Sequence, residues 1–311
     1  MDITTVVLTI TTMAIIIVFG AAIASKVPIT KEAKQLFMTL IINIAVPFII
    51  LNGVFNSDIT EGVLRQVLII FVVSILFNIF AVLVSLLVGR ILGFEWSLAK
   101  KLALLAAIGN TGFIGIPLAA AIFGPIGGLL AAVFDAGLDV VLFSLGIYLL
   151  QSDQRFHFKQ LKALFNLPLA AILLGLLFAI SGLHAPVLLK DLSSMLSSLA
   201  APLAMLYIGF LLPPFFKKRG KIFFQELWYP LTMRLVFIPT ISVLIIVAIP
   251  MDNFLQQLFI ILTAMPTFML ATVLFSRYTN DEEKAVVTTA VSTLLSLFTI
   301  PLIAIFASFF L

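Results

Sequence analysis

The chain has 311 residues, 62% hydrophobic and only 10% charged, with a formal net charge of +4. A soluble domain is nearer half apolar and a quarter charged, so this chain has too little polar surface to coat a soluble globule and needs lipid as part of its solvent. There is no Cys for disulfide or thiolate chemistry, and His157 and His184 lie in loops a full span apart, so no metal site is expected.

A membrane helix needs about 20 mostly apolar residues. Such windows recur along the chain: Thr4 to Ala24, Gln35 to Phe55, Leu64 to Gly89, Leu102 to Phe123 and Gly128 to Leu150, then Ala163 to Ser181, Ser194 to Pro213, Glu226 to Ala248, Phe254 to Phe275 and Ala285 to Phe310. The first has no preceding Lys or Arg and no clear cleavage site after it, and is expected to be a retained span. The expectation is an all-α membrane protein of ten transmembrane helices, one membrane domain over residues 1–311 with no soluble domain.

Basic residues set the orientation, because translocating Lys and Arg is disfavoured. Of the 18 Lys and Arg, fifteen fall in alternate loops: Lys26, Lys31, Lys34; Arg90, Lys100, Lys101; Arg155, Lys159, Lys162; Lys217, Lys218, Arg219, Lys221; Arg277, Lys284. Only Arg65 and Lys190 fall in the opposite loops, and Arg234 lies within the eighth window. This bias predicts both termini outside the cytoplasm. It also accounts for the positive charge without nucleic acid.

Prolines recur at matched places. The second and seventh windows contain Pro47 and Pro202; the fourth and ninth contain Pro117 and Pro266. Five spans per half reverse the second half, which predicts two inverted repeats, 1–155 and 156–311. Interrupted helices at corresponding positions of two halves point to a transporter's binding site. Proline frees backbone carbonyls that lipid cannot satisfy, so such breaks belong where protein or water lines them.

The run Gly109-Asn-Thr-Gly-Phe-Ile-Gly-Ile-Pro117 suits an unwound segment in which backbone groups and the Asn110 amide meet a ligand. Half-helix N-termini there favour an anionic group. It lacks the Gly-Lys-Ser/Thr ending of a phosphate loop, and its glycines also serve close packing. The expected substrate contacts are Asn110, Thr111, Gly112, Pro117, Pro266 and Thr267, with Arg234. Arg234 has three readings: substrate carboxylate, Asp partner, or snorkelling. Asp135 and Asp139 lie about 40° apart around one helix. Intramembrane carboxylates commonly mark ion or proton paths, so this pair is the expected coupling site, with sodium as the alternative ion.

The Gly109–Pro117 run, with Phe123-Gly124 and Asp135, Asn166-Leu-Pro168 and the Pro202 segment with Gly209, resembles the auxin efflux carrier family. The resemblance covers essentially the whole chain. It implies a fold like that of the sodium–proton antiporter and bile-acid symporter group, with helices 4 and 9 broken and crossing at the substrate. It implies a scaffold of helices 1, 2, 6 and 7, a moving core of helices 3–5 and 8–10, and a homodimer. The short loop between spans 5 and 6 looks like a bacterial malate or malonate permease in an inner membrane, rather than a long plant member.

The expected function is secondary active transport of a small organic anion, such as malate, malonate or an auxin-like acid, by alternating access. A channel or sensor on the same fold is the alternative. An enzyme is not expected: an aspartyl protease needs its acids on two facing helices, and neither acid-rich prenyl-transfer motifs nor a Ser–His pair is present. No cofactor is implied.

Overall fold

The computed structural model describes residues 2–151, 162–217 and 224–311. Helices of more than one turn among them are α1 (Ile3–Lys26), α2 (Lys31–Phe55), α3 (Glu61–Ile91), α4 (Trp96–Ala107), α5 (Thr111–Leu150), α6 (Leu167–Ile180), α7 (Val187–Pro213), α8 (Gln225–Ala248), α9 (Asn253–Thr263), α10 (Ala271–Tyr278) and α11 (Glu282–Ala307). Polar residues just ahead of apolar runs fix several starts. Thr30, Thr60, Asn166 and Asp252 each accept a hydrogen bond from the backbone N–H three residues on, satisfying a donor the helix cannot.

The protein is an all-α membrane protein, but the expected ten-helix inverted repeat is corrected. Seven of these helices are long and apolar enough to cross a membrane: α1, α2, α3, α5, α7, α8 and α11. Helix α6 has 14 residues, α4 has 12 and α9 has 11. At 1.5 Å per residue these reach about 16–21 Å, short of a ~30 Å hydrocarbon core. The windows over-counted because hydropathy sums across a break: Leu102–Phe123 and Phe254–Phe275 are apolar throughout, yet the helix stops within each. The boundary at 155/156, His157 and the basic residues Arg155, Lys159, Lys218, Arg219 and Lys221 lie outside the described residues.

Helix α5 is a hairpin rather than a rod. Gly124 has φ 72° and ψ −166°, a conformation that essentially only glycine adopts. A Cβ on Gly128 would lie 3.0 Å from that of Ala120, whereas residues eight apart on a straight helix are about 12 Å apart. The chain therefore doubles back, laying 125–150 beside 111–123. The returning arm packs on α3, where Ser74 donates to the Phe134 carbonyl at 2.5 Å and Asn78 donates to the Ser74 carbonyl at 2.8 Å. Helix α1 packs on α7 through Gly20 and Gly209, so close that a Cβ on Gly20 would stand 3.1 Å from the Gly209 Cα. Small residues permit this contact where lipid gives no hydrophobic drive between helices.

Candidate functional site

Two interruptions meet at the centre. After α4 stops at Ala107, the chain runs extended through Ile108–Asn110 before α5 starts; after α9 stops at Thr263, it runs through Ala264–Leu270 before α10 starts. Gly109 and Thr267 form an antiparallel bridge. The Asn110 N–H donates to the Pro266 carbonyl at 2.7 Å, and the Phe268 N–H donates to the Ile108 carbonyl at 3.2 Å. Each segment thus supplies the partners the other lost by leaving the helix, which is how irregular backbone survives at membrane depth.

One side of this junction faces a cavity of about 730 Å³. Its walls are mostly aliphatic and aromatic, including Phe71, Ile116 and Leu211, with Phe113 packed on Tyr207 at 5.2 Å between ring centres. The polar groups reaching it are few: Asn110, Asp135, Asp139, Asn166, Tyr207, Thr272, Thr289 and Thr293, with Lys34 and Glu282 among its lining. A largely apolar cleft with a few convergent polar groups is the usual form of a small-molecule site.

Among the expected site residues, Asn110 is only 4% exposed, and its Nδ2 has no hydrogen-bond partner. A buried amide without a partner costs about 1–3 kcal/mol, and this one borders the cavity. Thr111 donates its hydroxyl to Asp135 Oδ1 at 2.5 Å. Gly112 lies beneath the same carboxylate: a Cβ there would be 2.7 Å from Asp135 Oδ2. The Asp135 carboxylate, carried on the returning arm, thus sits against the N-terminal turn of α5, where the helix dipole favours a negative charge. Asp139, one turn on, accepts from Asn166 Nδ2 at 3.5 Å.

Pro117 lies away from this cavity and lines a smaller one of about 220 Å³ with Ile49, Asn52 and Pro125. Pro266 and Thr267 are buried in the junction. Thr267 donates its N–H to Ser292 and its hydroxyl to the Leu105 carbonyl, and neither residue lines the larger cavity. Arg234 is 1% exposed and does not line it either. Its guanidinium donates to the Ala107 carbonyl at 2.5 Å and to the Thr263 carbonyl, the last residues of α4 and α9. The ion pairs among the described residues are Lys101–Asp281 and Lys284–Asp281. Arg234 therefore holds two helix ends, a role outside its three sequence-based readings.

Sequence reasoning passed over Tyr207, Lys34, Glu282 and Thr289 as lining residues. Asn166 carried a signal, since Asn-Leu-Pro ahead of an apolar run reads as a helix cap; that its amide also meets Asp139 had none.

The chain is similar in sequence to known proteins. An uncharacterized transporter of Methanothermobacter thermautotrophicus is 26% identical over 297 residues, covering 94% of this chain and 96% of that protein. Residues 2–304 match the family described as Membrane transport protein. With seven helices long and apolar enough to cross a membrane and a family match spanning nearly its whole length, the chain belongs to the Membrane transport protein family.

Proposed function

We propose that this transporter is a secondary carrier of a small organic anion and works by alternating access. The observation that carries the proposal is the Asn110 amide, buried without a partner at the edge of a 730 Å³ cavity. An amide donor held this way suits a carboxylate oxygen, which would remove its desolvation cost on binding. The substrate lies in the cavity beside Asn110 and the Phe268–Leu270 stretch, its apolar part against Phe113, Ile116 and Tyr207. Malate, malonate and an auxin-like acid are the candidate substrates, on the resemblance to auxin efflux carriers.

Asp135 and Asp139 exchange the coupling ion, a proton in this account. Two neighbouring carboxylates disfavour simultaneous ionisation, and both line the same cavity as Asn110. Lys34, Asn166 and Glu282 line the cavity together, near the helix ends that adjoin basic loops, which supports a cavity mouth on the cytoplasmic side and termini on the outside. Transport then requires the helices around the junction to shift against α1, α2, α6 and α7, closing this mouth and opening the region of the smaller cavity.

The test is flux of labelled malate and malonate into proteoliposomes, with and without a pH gradient. Saturable counterflow supports a carrier, and flux that never saturates indicates a channel. Absence of uptake for every carboxylate tried overturns the organic-anion assignment.

A further inference from the structure

An anion site in this cavity faces an electrostatic difficulty. The junction is formed by two helix C-termini as well as two N-termini. Each C-terminus carries roughly half a negative charge and each N-terminus roughly half a positive one; the N-terminus of α5 already faces the Asp135 carboxylate, so the α4 and α9 C-termini, together about one negative charge, are offset behind the Gly109–Asn110 backbone only by the N-terminus of the short α10. The cavity's own acids, Asp135 and Asp139, add to this. Among the described residues, Lys34 is the one basic residue lining it.

Arg234 matches this charge in size and place. One guanidinium donates to the Ala107 and Thr263 carbonyls, the two offending helix ends. It lies directly behind Gly109: a Cβ on that glycine would stand 3.4 Å from Nη2, 3.5 Å from Cζ and 3.6 Å from Nη1. Gly109 itself borders the cavity. A single residue without a side chain thus separates the cation from the ligand volume.

We infer that Arg234 is a positioning residue for anion recognition: by neutralising the paired C-termini of α4 and α9 behind Gly109, it makes the cavity permissive for a negatively charged ligand it never touches. This inference rests on the organic-anion function proposed above. Its content is electrostatic, not only structural, so a cation of different shape substitutes and a neutral group of similar length does not. One unit charge lost about 10 Å from a ligand charge, at an effective dielectric near 20, weakens binding about 15-fold.

The experiment is malonate uptake in proteoliposomes by wild type, R234K and R234Q, reading KM and maximal rate separately, with thermal midpoints measured on the same preparations. If wild type carries malonate, the expected result is a malonate KM raised more than about fivefold in R234Q and within about fivefold of wild type in R234K. A malonate KM in R234Q within that range of wild type overturns the inference. So does an equal rise in both variants, which assigns Arg234 a structural bridge alone. If R234Q does not yield folded protein, R234K decides by the same threshold. Wild type that carries no malonate, malate or other carboxylate fails the organic-anion function instead, a separate result.

Discussion

The backbone N–H of Asn110 is spent on the Pro266 carbonyl at 2.7 Å, while its side-chain Nδ2 is left without a partner. One residue thus does two separable things. Its main chain ties the two interruptions together, and its buried amide is left without a partner in a residue that borders the cavity.

That separation predicts the behaviour of N110A. The backbone bond survives, and no side-chain bond of Nδ2 is lost, so the thermal midpoint stays within about 2 °C of wild type. Malonate transport falls at least about tenfold, the size expected for one lost hydrogen bond to a charged group. Differential scanning fluorimetry and proteoliposome uptake on the same preparation check both parts. Intact transport removes Asn110 from the site.

Gly112 and Asp135 form a second coupled pair, since a Cβ on Gly112 would reach within 2.7 Å of Asp135 Oδ2. G112A displaces the carboxylate from the Thr111 hydroxyl and destabilises the protein by about 1–3 kcal/mol. D135A on the same background makes room for the methyl group. The double variant is therefore expected to be less destabilised than the sum of the two single variants, a non-additivity read from unfolding midpoints.

D135N and D139N preserve shape and remove the ionisable groups. Both are expected to abolish the response of malonate flux to an imposed pH gradient, with some downhill exchange retained. Flux that still follows the gradient in both variants excludes this pair as the proton carrier.

Outside the spans, Asp281 accepts from Lys101 at 2.6 Å and pairs with Lys284 at 3.1 Å. Burial pushes its carboxyl upward, but the hydrogen bonds and charges of the two lysines outweigh it and hold the group below the usual carboxylate range. A depressed folded-state value gives stability that is full above the unfolded value and lost as pH falls through the folded one. D281N is therefore expected to cost about 0.5–1 kcal/mol near neutral pH, less at high salt. The difference from wild type shrinks below pH 4. A gap that is constant with pH contradicts the ion-pair account.

The breaks in α-helix were legible from the glycine spacing in Gly109–Pro117 and from Pro266, because both residue types act on the local backbone. The Asp135–Asp139 face was legible from helical geometry. Span count was not, since hydropathy averages over interruptions such as Ile108–Asn110 and cannot see that α6, α4 and α9 are short. Nor was the role of Arg234 legible: its partners are main-chain carbonyls of Ala107 and Thr263, and a backbone acceptor leaves no mark on residue type. The tilt of Gly124 into a hairpin lay between. A Gly-Pro pair announces a turn, but only the packing of Gly128 on Ala120 shows a full reversal.

The central claim is that an organic anion occupies the cavity beside Asn110. The chain contains no Cys, so a single cysteine can report on that volume without background. Met269 lines the cavity within the Pro266 segment, which makes M269C the choice. In proteoliposomes, the account predicts that malonate slows maleimide labelling of M269C with a half-maximal concentration matching its transport KM, and that N110A abolishes this protection. Labelling unaffected by any carboxylate the protein transports would contradict it.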